Sequence, residues 1–373
     1  MPMTKNKPTP IVYVIDHFYR GGGTENQLAI LIDHMDRTRF RPYVFNLNSK
    51  LPDMSIEIDC EVCYLNVDSL VSVAALRAIG KVARYLRRNR VRILQVYFRD
   101  SRAIGVLAGT LARVKNIIAC RRDMGWWHTP RKMLIMRTLG RLADYCLVNA
   151  NIIKKMVGEV ESFAEDKIRV IYNGVKLVPR PDAPVVSRER FGIPESAPVV
   201  GMVGNLRQVK RYDRLVRIAG LLRHTDTHFL FIGFGEKEEE LKKMVAETEF
   251  HDRIHFYHTV TGVYNILQLF DVGVLTSQSE GLSNVLIEYA LAGLPTVAFD
   301  VGGNSEVVID GETGYVLPDG DEAEMADRID RLLDSSELRE KYGCRAQELA
   351  HEKFDVERMV QRTQDFYEEI LRT

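Results

Sequence analysis

The 373-residue sequence predicts an α/β protein of two doubly wound domains in series. Three observations predict it. Short β-branched runs alternate with helical stretches, a proline-dense break interrupts the alternation, and the alternation then restarts. Strands separated by helices imply a parallel sheet covered on both faces. A chain of this length is too long for one ordinary core and suits two.

In the first half, IVYVID (11–16) reads as a buried strand. Gly21, Gly22 and Gly23 follow, and Thr24 is the expected cap of a helix reaching about Met35. Further strands are expected at RPYVFNL, CEVCYLN, RILQVY, NIIACR, YCLVNA and IRVIYN, and the clearest helix runs from about Val71 to Asn89. The break, VKLVPRPDAPVVSRERFGIPESAPVV, holds Pro179, Pro181, Pro184, Pro194 and Pro198. Proline lacks the backbone donor that helix interiors and central strands need. The second half resumes with VVGMVGNL, a helix near 211–223, HFLFIGFG, a helix near 236–249, RIHFYH, VGVLTS, a helix near 283–293 and PTVAFD. The expected domains are residues 1–180 and 181–354, with a final helix over 355–373 packing back on the first domain.

Apolar residues make up 46% and charged residues 27%, ordinary for a water-exposed globular chain. No apolar run of about 18 residues is present, so no membrane span is expected. The polar start MPMTKNKPTP does not read as a signal peptide. Five scattered cysteines then point to reduced thiols and a cytoplasmic protein. Cys60 and Cys63 form a CxxC, but in a strand residues three apart face opposite sides. Structural thiols are expected there, and no metal site.

Net charge is zero but unevenly spread: residues 1–180 carry 30 Lys and Arg against 16 Asp and Glu, and the remainder 21 against 35. The basic half points to an anionic partner: a lipid surface at the inner face of a membrane, a lipid-phosphate acceptor or an acidic glycan. An attraction between the two halves accounts for the charge equally well. The cluster Arg84, Arg87, Arg88, Arg90 and Arg92, with Trp126-Trp127, is compatible with peripheral lipid binding. No RNA- or DNA-binding module is visible, so nucleic acid is not expected.

The most informative segment is TSQSEGLSNVLIEYALAGLPTVAFDVGGNSEVV (276–308). It reads as strand end, turn, helix, strand. Backbone N–H groups at a helix start are unpaired and the helix dipole favours negative charge there. Gly281 permits close backbone approach, so Leu282, Ser283 and Asn284 can aim N–H groups at a diphosphate. Glu280, just ahead of that start, fits hydrogen bonds from sugar hydroxyls. Glu288, eight residues on, can reach a ribose diol. Helix capping by Glu280 and solvation of Glu288 is the plainer alternative.

On these residues the chain resembles the retaining glycosyltransferases of family four, whose GT-B fold places two Rossmann-like domains across a cleft. The family's E-x7-E falls on Glu280 and Glu288, and EGLSNVLIEYALAGLPTVAFDVGGNSEVVIDGETGYVL follows its pattern. GMVGNLRQVKRYDRLV (201–216) resembles the strand–loop–helix that sets cations on the diphosphate, with Lys210 on the family lysine. Asn205 stands where arginine is frequent, and Arg207 is the expected substitute, as in a subgroup carrying N-x-R-x-V-K. Gly22 and Gly23 match the glycine loop facing the cleft, and Gly233 the loop after the second donor-domain strand. Two departures stand out. Arg122-Asp123 occupies the place of a frequent histidine, as in a subgroup with RRD-M/L-G, and His128 is an alternative there. His258 stands where glycine is common near the expected base pocket.

The resemblance implies transfer of a hexosyl group, with retention, from a UDP- or GDP-linked sugar to a glycan or lipid-linked acceptor. It implies Arg207, Lys210 and Glu280 as catalytic residues, and envelope polysaccharide or lipopolysaccharide assembly as the setting. With these cations and a helix start to hold the diphosphate, no cofactor or metal is expected. The rivals are a nucleotide-sugar 2-epimerase of the same architecture and a non-catalytic nucleotide-sugar-binding partner.

Overall fold

The computed structural model describes residues 7–19, 22–48, 56–125, 129–176, 186–259 and 263–373. The chain forms two compact units, Met1–Gly174 with Val356–Thr373, and Val175–Asp355. The division falls at Gly174/Val175, ahead of the expected 180/181. Among the described residues no helix is long and apolar enough to cross a membrane.

The first unit is built on seven parallel strands: β1 Thr9–Ile15, β2 Phe40–Asn46, β3 Glu61–Tyr64, β4 Ile93–Val96, β5 Asn116–Arg121, β6 Tyr145–Val148 and β7 Ile168–Val170. Their order is β3-β2-β1-β4-β5-β6-β7. Ile11, Val12, Tyr13, Val14 and Ile15 are fully buried, because a central strand of a covered parallel sheet has no wet face. Among the described residues, six helices connect or cover these strands: α1 Gly23–His34, α2 Val73–Arg88, α3 Arg99–Ala112, α4 Pro130–Leu142, α5 Asn151–Met156 and α13 Val356–Arg372. Right-handed crossovers place α2, α3 and α4 side by side on one sheet face. On the other face α1 packs with α13.

Thr24 is not the cap of α1: Gly22 is, and Thr24 lies inside the first turn. Cys60 precedes β3 rather than lying in it. Burial pushes its thiol up to about 12.

Two buried polar systems tie this unit together. Tyr367 of α13 donates to Gln95 Oε1 at 2.6 Å, Gln95 Nε2 donates to Tyr97 at 2.6 Å, and the Tyr13 and Tyr367 hydroxyls meet at 3.2 Å. This chain of bonds fixes α13 on β1 and β4. The second system centres on Glu161, in a π-helical turn Val157–Glu161 that follows α5. Its carboxylate meets Arg102 Nη1 at 2.6 Å and Arg121 Nε at 2.7 Å, and all three side chains are buried.

The second unit repeats the plan with six parallel strands: β8 Val199–Val203, β9 His228–Ile232, β10 Ile254–Tyr257, β11 Val272–Leu275, β12 Thr296–Phe299 and β13 Gly314–Leu317. Their order is β10-β9-β8-β11-β12-β13. Its helices are α6 Tyr212–Ala219, α7 Glu238–Ala246, α8 Val263–Leu267, α9 Asn284–Leu291, α10 Asn304–Val307, α11 Glu322–Leu333 and α12 Ser336–Lys353. The order reverses direction between β8 and β11, the switch point beyond which open α/β sheets bind ligands.

Truncating Glu161 leaves two guanidinium groups buried without their carboxylate. Glu161→Ala is expected to lower stability by about 3–5 kcal/mol. Urea unfolding of the variant measures this, and a loss under about 1 kcal/mol would contradict the assigned role.

Candidate functional site

At the carboxyl ends of β8 and β11 two loops are stitched to each other. The loop after β8 ends in a 3-10 turn, Gln208–Lys210, that runs into α6. The loop after β11 begins at Thr276, whose hydroxyl donates to the carbonyls of Lys210 at 3.1 Å and Arg211 at 2.9 Å. The Gln278 N–H donates to the Val209 carbonyl at 2.8 Å. Tyr212 and Tyr289 seal the floor: the Tyr212 hydroxyl donates to the Gly204 carbonyl at 3.0 Å, and the Val203 N–H donates to the Tyr289 hydroxyl at 2.8 Å.

On this floor Lys210 Nζ donates to Glu280 Oε1 at 2.6 Å. The two residues are 70 apart in sequence, and their side chains are only 21% and 11% exposed. Charges so shielded from water interact well above the strength of a surface pair. The sequence places Lys210 on a diphosphate and Glu280 on sugar hydroxyls; the structure brings the two together as an ion pair. Arg207, at the N-terminal edge of the 3-10 turn, is exposed. Among the described residues no carboxylate pairs with it.

The helix that follows Glu280 is α9, with Ser283 as its N-cap. Leu282 and Ser283 are buried and Asn284 opens the helix. The Gly281 carbonyl accepts from the Gly303 N–H at 2.7 Å, which ties the turn to the glycine pair after β12. Gly302 has φ +58°, and a Cβ there would lie 2.0 Å from the Glu280 carbonyl oxygen. No other residue fits at 302 without moving Glu280. Glu288, in the second turn of α9, has no charged partner among the described residues to offset its desolvation, and burial pushes its carboxyl up to about 7.

Gly233 owes its identity to packing. Its φ is +142°, and a Cβ would fall 2.0 Å from the Gly204 carbonyl oxygen, so it lets the β8 and β9 loops touch. His258, just past β10, is exposed and meets Glu238 of α7 at 2.9 Å. The strand order puts β10 two places from β8, at the sheet edge.

The first unit gathers its own polar groups beyond its strands. A Cβ on Gly22 would strike the Glu25 carboxylate, which lies folded over the glycine loop and meets His17 Nε2 at 3.1 Å. Gly23 starts α1. Gln27 holds Gly174 by two bonds, donating to its carbonyl at 2.8 Å and accepting from its N–H at 3.0 Å. Arg122 Nη1 donates to Asn173 Oδ1 at 2.8 Å and its guanidinium lies 5.7 Å from the Tyr97 ring centre. Asp123 accepts two bonds from Arg121 Nη1 at 3.0 Å and one from the Gly125 N–H at 2.6 Å. His128, with Trp126 and Trp127, lies outside the described residues.

Sequence reasoning missed Glu25, Thr276, Asn149 and Asn173. Asn149 follows β6 directly, Asn173 lies three residues past β7, and the Asn149 amide donates to Asn173 Oδ1 at 3.3 Å. An asparagine near the end of each apolar run, YCLVNA and IRVIYN, was the available signal.

Two sequence families match the chain: the one described as Glycosyl transferases group 1 over residues 186–349, and Glycosyltransferase Family 4 over residues 21–178. Among curated relatives, N-acetyl-alpha-D-glucosaminyl L-malate synthase of Bacillus anthracis is 31% identical over 50% of this chain and 49% of its own. The lipopolysaccharide core biosynthesis glycosyltransferase LpsD of Rhizobium meliloti is 33% identical over 50% of this chain and 53% of its own. The chain thus spans about half the length of the curated relatives it matches. Solved structures agree in fold. A glycosyltransferase from Rickettsia africae gives a TM-score of 0.83 at 18% identity, covering 98% of this chain and 99% of its own. Anabaena HepE in complex with UDP-glucose gives 0.80 at 19%, covering 96% and 99%. With both sheets of GT-B type and the two family matches between them taking in most of the sequence, the chain belongs to the family-4, group-1 glycosyltransferases.

Proposed function

We propose that the protein transfers a hexosyl group from a UDP- or GDP-linked sugar to a hydroxyl of a glycan or lipid-linked acceptor, with retention at the anomeric carbon. The setting fits envelope polysaccharide or lipopolysaccharide assembly, in keeping with the names of relatives such as LpsD. The observation that carries the reading is the shielded Lys210–Glu280 pair at the switch point of the second sheet.

In this reading the glycosidic bond breaks towards the diphosphate, whose terminal phosphate keeps the bonding electron pair, while the acceptor oxygen bonds to the anomeric carbon and its proton passes to the departing phosphate. Lys210 and Arg207 face that growing charge, and the N–H groups at the start of α9 add to them. Glu280 takes hydrogen bonds from the sugar hydroxyls once Lys210 turns to phosphate. Glu288 accepts from the ribose diol. Arg122 and Asp123 lie on the acceptor side, with Asp123 oriented by Arg121 and the Gly125 N–H. Two cations and a helix start supply the charge that a divalent ion supplies elsewhere, so none is required.

A donor panel read by thermal unfolding tests the reading. The correct donor at 100 times its dissociation constant is expected to stabilise the fold by about 2.7 kcal/mol, unchanged by excess chelator. Failure of every nucleotide sugar to stabilise would overturn donor binding, and loss restored by magnesium would overturn the metal-free reading.

Lys210→Ala and Glu280→Ala are each expected to raise the barrier by roughly 2–4 kcal/mol, seen as a fall in kcat of the folded variants. Turnover of Lys210→Ala near the unaltered rate would remove the leaving-group role.

Glu288 makes donor binding pH-dependent. A ribose diol donates to the ionised carboxyl, and this carboxyl ionises only near pH 7. Donor affinity therefore rises as pH rises through that value, by about tenfold between pH 6 and pH 8, with a proton released on binding. Glu288→Gln is expected to bind weakly and without this dependence. Calorimetric titration at both pH values measures it, and a flat profile in the unaltered protein would remove the ribose contact.

A further inference from the structure

We infer that the outer face of α2, α3 and α4 in the first unit docks on an anionic lipid bilayer. The inference does not rest on the transfer chemistry, since it concerns a different surface.

Two observations meet on this face. The first is apolar exposure where a water-exposed helix face would carry polar groups. Val71, just before α2, is 95% exposed, and Leu76 on α2 is 70% exposed. Leu107 and Leu111 are exposed on α3, and on α4 Leu134 and Ile135 are 69% and 53% exposed. Single exposed leucines are ordinary. Here they recur on three consecutive helices that lie side by side, and recurrence on one face marks an interaction surface.

The second observation is charge. Between Asp68 and Asp144 the chain carries seventeen Lys and Arg against two Asp and no Glu. Some of these cations are consumed internally: Arg102 and Arg121 pair with Glu161, and Arg99 meets Asp100 at 2.6 Å. Among the described residues, Arg77, Lys81, Arg84, Arg88, Arg131 and Arg141 have no carboxylate partner. All six are exposed and lie on α2 and α4.

The pattern selects its partner. A second copy of this chain would bring like charges face to face. A nucleic acid would satisfy the cations and leave the leucines in water. A bilayer with anionic headgroups satisfies both: apolar tips enter the acyl boundary while Arg and Lys stems reach to the headgroup phosphates. The structure moves the emphasis from the sequence cluster at residues 84–92. Arg92 donates to the Leu371 carbonyl at 2.7 Å and Arg87 to the Leu111 carbonyl, so both are engaged within the protein. The exposed apolar pair Leu134-Ile135, which the sequence alone did not single out, takes their place.

The test is co-sedimentation of the full chain with vesicles of phosphatidylcholine alone or mixed with phosphatidylglycerol, at low and high salt. Strong binding to the mixed vesicles is expected, at least tenfold weaker to neutral vesicles and weakened by salt. Leu134→Ser with Ile135→Ser, and separately Val73→Ser with Leu76→Ser, are expected to cut binding at least tenfold while the thermal midpoint holds. Equal binding to both vesicle types, no binding, or full binding by both double variants would overturn the inference. So would a dimer in solution that either double variant dissociates.

Discussion

Parallel strands deliver their carboxyl ends to one edge of a sheet, and in the second unit that edge brings residues 210 and 280 within one hydrogen bond. The ion pair they form depends on backbone ties more than on itself. The Thr276 hydroxyl reaches two carbonyls of the neighbouring loop, and the Gln278 N–H reaches a third. Gly302 then supports Glu280 from below by leaving room for its carbonyl. Each loop thus takes its shape from the other, and the backbone of neither can be moved without disturbing both.

The local pattern of this site was legible in the sequence. A strand end, a glycine turn and a helix start are written in consecutive residues, so the segment from Thr276 to Val308 reads directly. What joins distant segments was not legible. The link between Thr276 and the Lys210 carbonyl spans 66 residues, and no periodicity records it. Gly233 is placed in a donor-domain loop by the resemblance; that it also packs against the Gly204 carbonyl could not be read from the sequence. Glu288 read correctly as a helix carboxylate, but its resistance to ionisation comes from packing around α9 and leaves no trace in spacing. Thr24 failed as a cap because glycine at 22 already met the backbone requirement and the Glu25 side chain folded back over it.

The first unit treats its charges in two contrasting ways. Inside, Glu161 meets two arginines on separate elements, and that buried triad holds β5 and with it the Arg122-Asp123 segment. Burial makes each partner indispensable to the others. Outside, Arg77, Lys81, Arg84 and Arg88 on α2 and Arg131 and Arg141 on α4 have no carboxylate partner among the described residues, on helices that also expose leucines. The same residue type therefore serves as internal scaffold in one layer and as outward contact in the next, and composition alone does not separate the two uses.

The first unit is also discontinuous: α13, which begins at Val356, closes a core whose strand residues run from Ile11 to Leu147. Translation consequently delivers the units out of step. The second unit has all of its strands and helices once synthesis reaches Asp355, while the first still lacks the helix that supplies Phe366 and Tyr367. During that interval the hydrophobic side of α1 and the Tyr13 hydroxyl have no cover. Residues 356–373 must therefore emerge before the first unit can finish folding, and their loss would be felt on α1 and β1, far away in sequence.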